Sequence, residues 1–424
     1  MDKIIIEGGH PLSGVLPISG SKNGVLPLMV AALLTAEKLH LQNAPALADT
    51  VMLGNILTKL GAQVTQTDKA ELTVHAENIH STTAPYELVS KMRAGFWVLG
   101  PLLARCGQAH ISLPGGCAIG TRPVDFYLRG LASMGAEIDV SGGYVHAHIA
   151  RPNKGNRLQG ARLDLPFVSV GATHVLMMAA SLAKGETCIN NAASEPEIVD
   201  MGRCLQAMGA KIEGLGTRHI IIEGVESLSG TKYHIMHDRI EMGAYACAAI
   251  ATRSTLTLAN ADIELMGALV PALRQSGASL TQTKQGLHVS GENLRPKPTH
   301  IVTAPWPGFA TDLQAPFMAL MCLADGTSHI RETIFENRFM HVQELTRLGA
   351  QISLKGDTAI VQGVEQLLGA PVMATDLRAS VALIIAGLVA KGQTVVNRIY
   401  HLDRGFERLE EKLSACGAKI WRET

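Results

Sequence analysis

The sequence predicts an α/β chain of two domains, each made of three copies of one unit in which strands surround a buried helix. Three observations lead there. A short motif recurs six times, six nearly all-apolar helical stretches interleave with it, and a short alternating strand follows each of those stretches.

The recurring motif appears as ILTKLGAQVT, GLASMGAEIDV, CLQAMGAKIEG, ALRQSGASLTQ, ELTRLGAQISL and KLSACGAKIWR. Its glycines are Gly61, Gly135, Gly209, Gly277, Gly349 and Gly417, separated by 74, 74, 68, 72 and 68 residues. Spacing this even marks copies of one structural unit. Each copy reads as the end of a half-exposed helix, a glycine suited to the left-handed position just past it, and then an alternating strand.

The interleaved stretches are GVLPLMVAALLTA, RAGFWVLGPLLAR, SVGATHVLMMAASLA, EMGAYACAAIAT, TDLQAPFMALMCLA and TDLRASVALIIAGLVA. A helix that is apolar nearly all round is a buried one. The strand-like pieces KLHLQN, AHISLPG, TCINNA, STLTLAN, SHIRET and TVVNRI follow them. Alternation in such strands indicates sheets with one face on solvent. The expected division is a first domain over 22–229 carrying the Cys117 loop, and a second over 1–21 with 230–424 carrying Asp312, Arg378 and Arg404. The N-terminal strand precedes the first buried helix, and its pattern alone is compatible with either domain.

Composition narrows the function. The 424 residues are 47% hydrophobic but only 4% aromatic, so the cores are expected to be aliphatic. Lys+Arg and Asp+Glu each total 37, a balance that argues against nucleic-acid and membrane-surface binding. Seven scattered cysteines contain no CxxC pair, and neither a P-loop nor a GxGxxG turn occurs. His146 and His148 share a strand face without further ligands nearby, so neither metal nor cofactor is called for. With no signal-peptide pattern and no apolar run of about 18–20 residues, the expectation is a soluble cytoplasmic protein.

Polar residues gather at the starts of the apolar helices: Lys22 and Asn23, Arg93, Ser169, Asp238 and Arg239, Asp312, and Asp376 and Arg378. Helix starts favour anions through their unpaired N–H groups. Ser169, Asp238 and Asp376 also suit N-caps. Lys22 and Arg378 oppose the local dipole, so a negative group is expected beside them. The loop SLPGGCAIGTRPVD sets Cys117 among glycines with Arg122 five positions on, the setting of a reactive thiol. FENRFMH carries Glu336 and Arg338, and RIYHLDRGFERLEEKL carries Arg404. Lys22, Arg122, Arg378 and Arg404 together suit a dianionic or phosphorylated substrate.

SGSKNGVLPLMVAALL, RAGFWVLGPLLA, LPGGCAIGTRPVD, EPEIVD, WPGFATDLQAPF, TIFENRFMH, TDLRAS and RIYHLDRGFERLEEKL resemble, in order and end to end, the enolpyruvyl transferase family, in its branch that acts on UDP-N-acetylglucosamine. The resemblance implies an inside-out α/β barrel of two domains, each of three βαβαββ-type units, with the site in the cleft between them. It implies transfer of the enolpyruvyl group of phosphoenolpyruvate to the sugar 3-hydroxyl with release of phosphate, the first committed step of peptidoglycan synthesis. Cys117 would be the acid, Asp312 the base, and Lys22 and Arg404 further catalytic groups. Lys22, Asn23, Arg122, Arg378 and Arg404 would hold phosphoenolpyruvate. Asn23, Arg93, Arg122, Pro123, Val124, Asp125, Phe126, Ser169, Val170, Asp312 and Ile334 would line the nucleotide-sugar site. The partners are these two small molecules, with no nucleic acid or membrane, and the chain would act as a monomer or weak homo-oligomer. Phe167 stands where many relatives carry a lysine or other polar residue.

Arg122 favours the Cys117 thiolate, while a bound anionic substrate favours the thiol. The glycines at 115, 116 and 120 suit a lid that closes on substrate with the thiol as proton donor. The same thiolate character, and the resemblance, imply alkylation by fosfomycin. Rival readings are the shikimate 3-phosphate enolpyruvyl transferase, whose pattern lacks the PGGC loop, a silent nucleotide-sugar sensor, and a cyclase of RNA ends.

Overall fold

The computed structural model describes residues 2–67, 69–115, 124–149 and 157–423. Six buried helices organise it: α1 (Lys22–Ala31), α2 (Leu99–Cys106), α3 (Val170–Ser181), α4 (Arg239–Ala251), α5 (Gln314–Met321) and α6 (Leu377–Val389). Small and aliphatic side chains on every face let them sink fully; in α4 all 13 residues are buried.

Each buried helix belongs to one βαβαββ unit. In the second copy, Thr83–Ala84 leads to α2, then to strand Gln108–Ser112, the outer helix Asp125–Ser133, and the hairpin Ala136–Ser141 with Tyr144–Ile149. The first two strands pair parallel and the rest antiparallel. All six sheets have four strands; four run in the order first, second, fourth, third, and the other two keep that layout with Thr231–His234 in the first place of one and Lys3–Glu7 in the fourth place of the other. Among the described residues they remain separate four-stranded sheets and do not join into a closed barrel. Strand Lys38–Gln42 shows how the sequence sets their faces: Leu39 and Leu41 are buried while Lys38 and His40 are exposed. The repeat glycines do what the motif predicts. Gly61, Gly135, Gly209, Gly277, Gly349 and Gly417 have φ of +117°, +93°, +108°, +101°, +91° and +101°.

RAGFWVLGPLLAR departs from a single helix. It divides into a 3₁₀ turn, Arg93–Val98, and α2. Pro101 has no N–H for the Trp97 carbonyl, so the i to i−4 ladder cannot run through this point. The same break recurs at Pro316, where the 3₁₀ turn Thr311–Leu313 precedes α5.

The described chain forms two compact units with separate cores: an inserted unit within 20–236 and a split unit made of 2–19 and 237–423. In the inserted unit, Thr231–His234 pairs parallel with Lys38–Gln42 and completes the first sheet. In the split unit, Lys3–Glu7 lies between Gln393–Asn397 and Lys419–Glu423, while Val15–Pro17 pairs with Thr255–Ala259. Both N-terminal strands thus belong to the split unit. The helices α4, α5 and α6 pack on one another in its interior.

Candidate active site

In the inserted unit, Ser21 caps α1 by accepting from Gly24 N–H at 3.1 Å, which starts the helix at Lys22. The Lys22 ammonium lies 2.9 Å from the Asp49 carboxylate, which sits in the first turn of the outer helix Ala48–Leu60 and is 2% exposed. Asn23 follows, half-buried. The negative group that Lys22 calls for is therefore supplied by the chain itself.

The 3₁₀ turn that begins at Arg93 packs against both α1 and α3. Ser169 caps α3 by accepting from Ala172 N–H at 3.3 Å, so the capping expectation holds there. A Cβ on Gly171 would lie 2.3 Å from the Tyr127 hydroxyl, so glycine lets the Ser169–Val170 corner sit against the outer helix Asp125–Ser133. Val124 precedes that helix and Asp125 opens it, exposed. Phe126 meets Phe167 edge to face with centroids 4.3 Å apart. Cys117, Arg122, Pro123 and most of the glycine loop lie outside the described residues.

In the split unit the carboxylate of Asp312 is gripped from two sides. Arg338 donates to Oδ1 and Arg378 to Oδ2, each at 2.7 Å. Both guanidinium groups are buried and the carboxylate is half-buried. Burial works to raise the Asp312 pKa, but the charges of Arg378 and Arg338 outweigh it and hold the carboxyl well below its usual range. At rest this is a poor base. Asp376 caps α6 by accepting from the N–H groups of Arg378 and Ala379, and Asp238 caps α4 in the same way. Arg404 ends the 3₁₀ turn Ile399–Arg404, which packs on α6.

The structure brings Arg338 to the cluster as a direct partner of Asp312, a role the spacing of FENRFMH did not specify. It also adds Glu332, 4% exposed, which accepts from the hydroxyls of Thr303 and Thr311 and from Ile334 N–H. Glu332 thereby ties the turn bearing Asp312 to Ile334. Its partners come from three separate segments, so no local signal marks it. His146 faces His110 at 3.1 Å between Nδ1 atoms, and His148 pairs with Glu137 at 2.9 Å. Cavities of about 700 and 460 Å³ open on outer surfaces, the first beside His40 and His75 and the second beside Asn55 and His80; no candidate residue lines either.

Six repeated α/β units, with cation–carboxylate pairs at the start of α1 and, around Asp312, at the starts of α5 and α6, make a fold suited to anionic ligands. The family model described as EPSP synthase (3-phosphoshikimate 1-carboxyvinyltransferase) matches residues 6–413. A curated relative from Rhizobium meliloti (strain 1021), named UDP-N-acetylglucosamine 1-carboxyvinyltransferase, is 58% identical over 431 aligned residues, covering 100% of this chain and 99% of its own. The crystal structure of the enolpyruvyl transferase NikO from Streptomyces tendae superposes with a TM-score of 0.86 at 26% identity, covering 100% of this chain and 99% of that one. EPSP synthase from Acinetobacter baumannii shares the fold, with a TM-score of 0.77 at 18% identity and full coverage of both chains. The chain belongs to this family of enolpyruvyl (1-carboxyvinyl) transferases. Among the described residues no helix is long and apolar enough to cross a membrane.

Proposed function

We propose that the chain transfers the enolpyruvyl group of phosphoenolpyruvate to the 3-hydroxyl of UDP-N-acetylglucosamine with release of phosphate, in the cytoplasm, as the first committed step of peptidoglycan synthesis. The observation that carries this reading is the 58% identity, over the whole chain, to a relative of that name. The chemistry is addition followed by elimination. Cys117 delivers a proton to the methylene carbon and Asp312 takes the proton of the sugar hydroxyl as its oxygen bonds to the neighbouring carbon; phosphate then leaves as the C–O bond breaks, and the newly formed methyl group returns a proton to the Cys117 thiolate, which restores the C=C bond. Lys22, Asn23, Arg122, Arg378 and Arg404 hold the phosphate and carboxylate. Asn23, Arg93, Pro123 to Phe126, Ser169, Val170, Asp312 and Ile334 hold the nucleotide sugar.

The paired state of the cations gives this scheme a physical switch. Lys22 and Arg378 are neutralised by Asp49 and Asp312 at rest. A substrate anion that takes Arg378 removes one of the two charges depressing the Asp312 pKa. Burial then pushes the carboxyl upward, towards a useful base, at the moment the hydroxyl needs one.

The test is phosphate release from phosphoenolpyruvate with UDP-N-acetylglucosamine and, separately, with shikimate 3-phosphate, for wild type and Cys117→Ala. Release only with the nucleotide sugar, lost in the variant, is expected. Release with shikimate 3-phosphate, or with neither acceptor despite nucleotide-sugar binding, overturns the reading.

A further inference from the structure

Arg404 ends the 3₁₀ turn Ile399–Arg404, and the chain passes through Gly405 into the short helix Leu409–Ala415. One side of this corner rests on the start of α6. A Cβ on Gly405 would lie 2.6 Å from Leu377 Cδ2, so glycine lets the backbone lie against that residue, and the ring of buried Phe406 has the Arg378 guanidinium 5.9 Å from its centroid. The corner therefore sets the place of Arg404 relative to Arg378.

The other side is held by a strand that carries no candidate residue. Arg422 lies on Lys419–Glu423, the edge strand paired with Lys3–Glu7. Its Nη1 and Nη2 donate to Asp403 Oδ2 and Oδ1 at 3.0 and 2.6 Å, and its Nε donates to Glu410 Oε1 at 2.7 Å. Asp403 immediately precedes Arg404, and Glu410 stands in the first turn of the helix that follows. One planar guanidinium thus spans the corner from entry to exit. A lone exposed ion pair holds little, but a bidentate fork fixes angle as well as distance, and here it is joined to a second carboxylate.

The clamp also settles the local charge. The corner mixes Asp403, Glu407, Glu410 and Glu411 with Arg398, Arg404, Arg408 and Lys412. Arg422 takes Asp403 and Glu410, Arg408 lies 3.6 Å from Glu411, Lys412 lies 2.6 Å from Glu241, and Glu407 accepts from the Ser19 hydroxyl at 2.8 Å. With Arg422 gone, the Asp403 carboxylate, one residue from Arg404, would compete with a substrate anion for that cation.

We propose that Arg422 is a positioning residue for the enolpyruvyl donor: by clamping Asp403 and Glu410 it fixes the turn that presents Arg404 and keeps the Asp403 carboxylate from occupying Arg404. This rests on the phosphoenolpyruvate half of the proposed function and not on the identity of the acceptor.

The test is steady-state phosphate release by the full chain, with the KM of phosphoenolpyruvate and that of the acceptor measured separately for wild type, Arg422→Ala, Arg422→Lys, Asp403→Asn and the double variant Arg422→Ala/Asp403→Asn. Arg422→Ala is expected to raise the KM of phosphoenolpyruvate about tenfold while that of the acceptor stays within about twofold. Lysine, a point charge without the fork, is expected to recover only part of the loss. The double variant should bind the donor no more weakly than Arg422→Ala, because both changes act on one contact and the competing carboxylate is gone. A wild-type donor KM in folded Arg422→Ala, an equal rise of both KM values, or a double variant whose rise is the product of the single ones overturns the proposal. Asp403→Asn, at a partly exposed side chain, keeps the question decidable if Arg422→Ala does not fold: a donor-selective rise is expected there too, and an unchanged donor KM overturns the proposal. Turnover with shikimate 3-phosphate in place of the nucleotide sugar would overturn the acceptor assignment alone, since the donor, and with it this readout, is common to both reactions.

Discussion

Arg378 and Asp312, 66 residues apart in sequence, meet at 2.7 Å between Nη2 and Oδ2, with the guanidinium buried against the carboxylate. Arg338 holds the other oxygen at the same distance. Asp312→Asn leaves two buried cations facing a neutral amide, and is expected to cost about 3 kcal/mol of stability at pH 7. The folded pKa of Asp312 is depressed, so its contribution is complete above the unfolded value of about 3.9 and is lost as the pH falls through the folded value. Urea unfolding of both proteins from pH 2 to pH 7 should show a constant gap above about pH 4 that narrows in stronger acid. A gap that persists unchanged at pH 2 contradicts this account.

Lys22→Ala is expected to weaken phosphoenolpyruvate binding at least about tenfold, the size of one lost charge-assisted contact. It also takes the ammonium away from buried Asp49. The double variant Lys22→Ala/Asp49→Asn should therefore be more stable than Lys22→Ala alone, by about 1–2 kcal/mol. Chemical denaturation of the two decides it, and equal stabilities would show that Asp49 bears no cost when this cation is gone.

Asp200 lies in the EPEIVD helix, accepts from the Tyr233 hydroxyl at 2.8 Å, and is pushed up to about 6 by burial against that opposing hydrogen bond. A carboxyl with a raised folded pKa keeps its proton longer when folded than when unfolded, so stability falls as the pH rises from about 4 to about 6. About two pKa units correspond to about 3 kcal/mol. Asp200→Asn should remove that slope. Stability measured at pH 4.5, 6 and 7.5 should then vary less in the variant than in wild type.

Gly209 has φ +108° and nothing within 4 Å of where its Cβ would be, so a side chain there meets strain without a clash. Gly209→Ala is expected to cost about 1–2 kcal/mol and Gly209→Asn less, since asparagine tolerates the left-handed region better. The thermal unfolding order wild type, Asn, Ala is the check.

Much of this architecture is legible in the sequence because the repeat supplies its own controls. Six glycines at one phase of the motif all take positive φ, and Ser169, Asp238 and Asp376 cap the helices they precede. The cations out of place at Lys22 and Arg378 call for a negative group, which the sequence assigns to a substrate and for which the chain itself offers Asp49 and Asp312. Other features depend on long-range choices that leave no local trace. Glu332 binds partners from three segments, and which strand completes which sheet is decided by pairing across hundreds of residues. The division of RAGFWVLGPLLAR was visible in Pro101, whose missing N–H outweighs the apolar pattern around it.

The strands Lys3–Glu7 and Val15–Pro17 emerge from the ribosome before the inserted unit, yet their sheet partners, Thr255–Ala259, Gln393–Asn397 and Lys419–Glu423, come after it. The inserted unit closes its own first sheet with Thr231–His234, so it can finish folding while the split unit is still being translated. Val15–Pro17 must then wait, unpaired, until Thr255–Ala259 is made, and Lys3–Glu7 for nearly the whole length of synthesis. The burden of aggregation during biosynthesis falls on this leading segment, KIIIE above all, and not on the part of the chain made last.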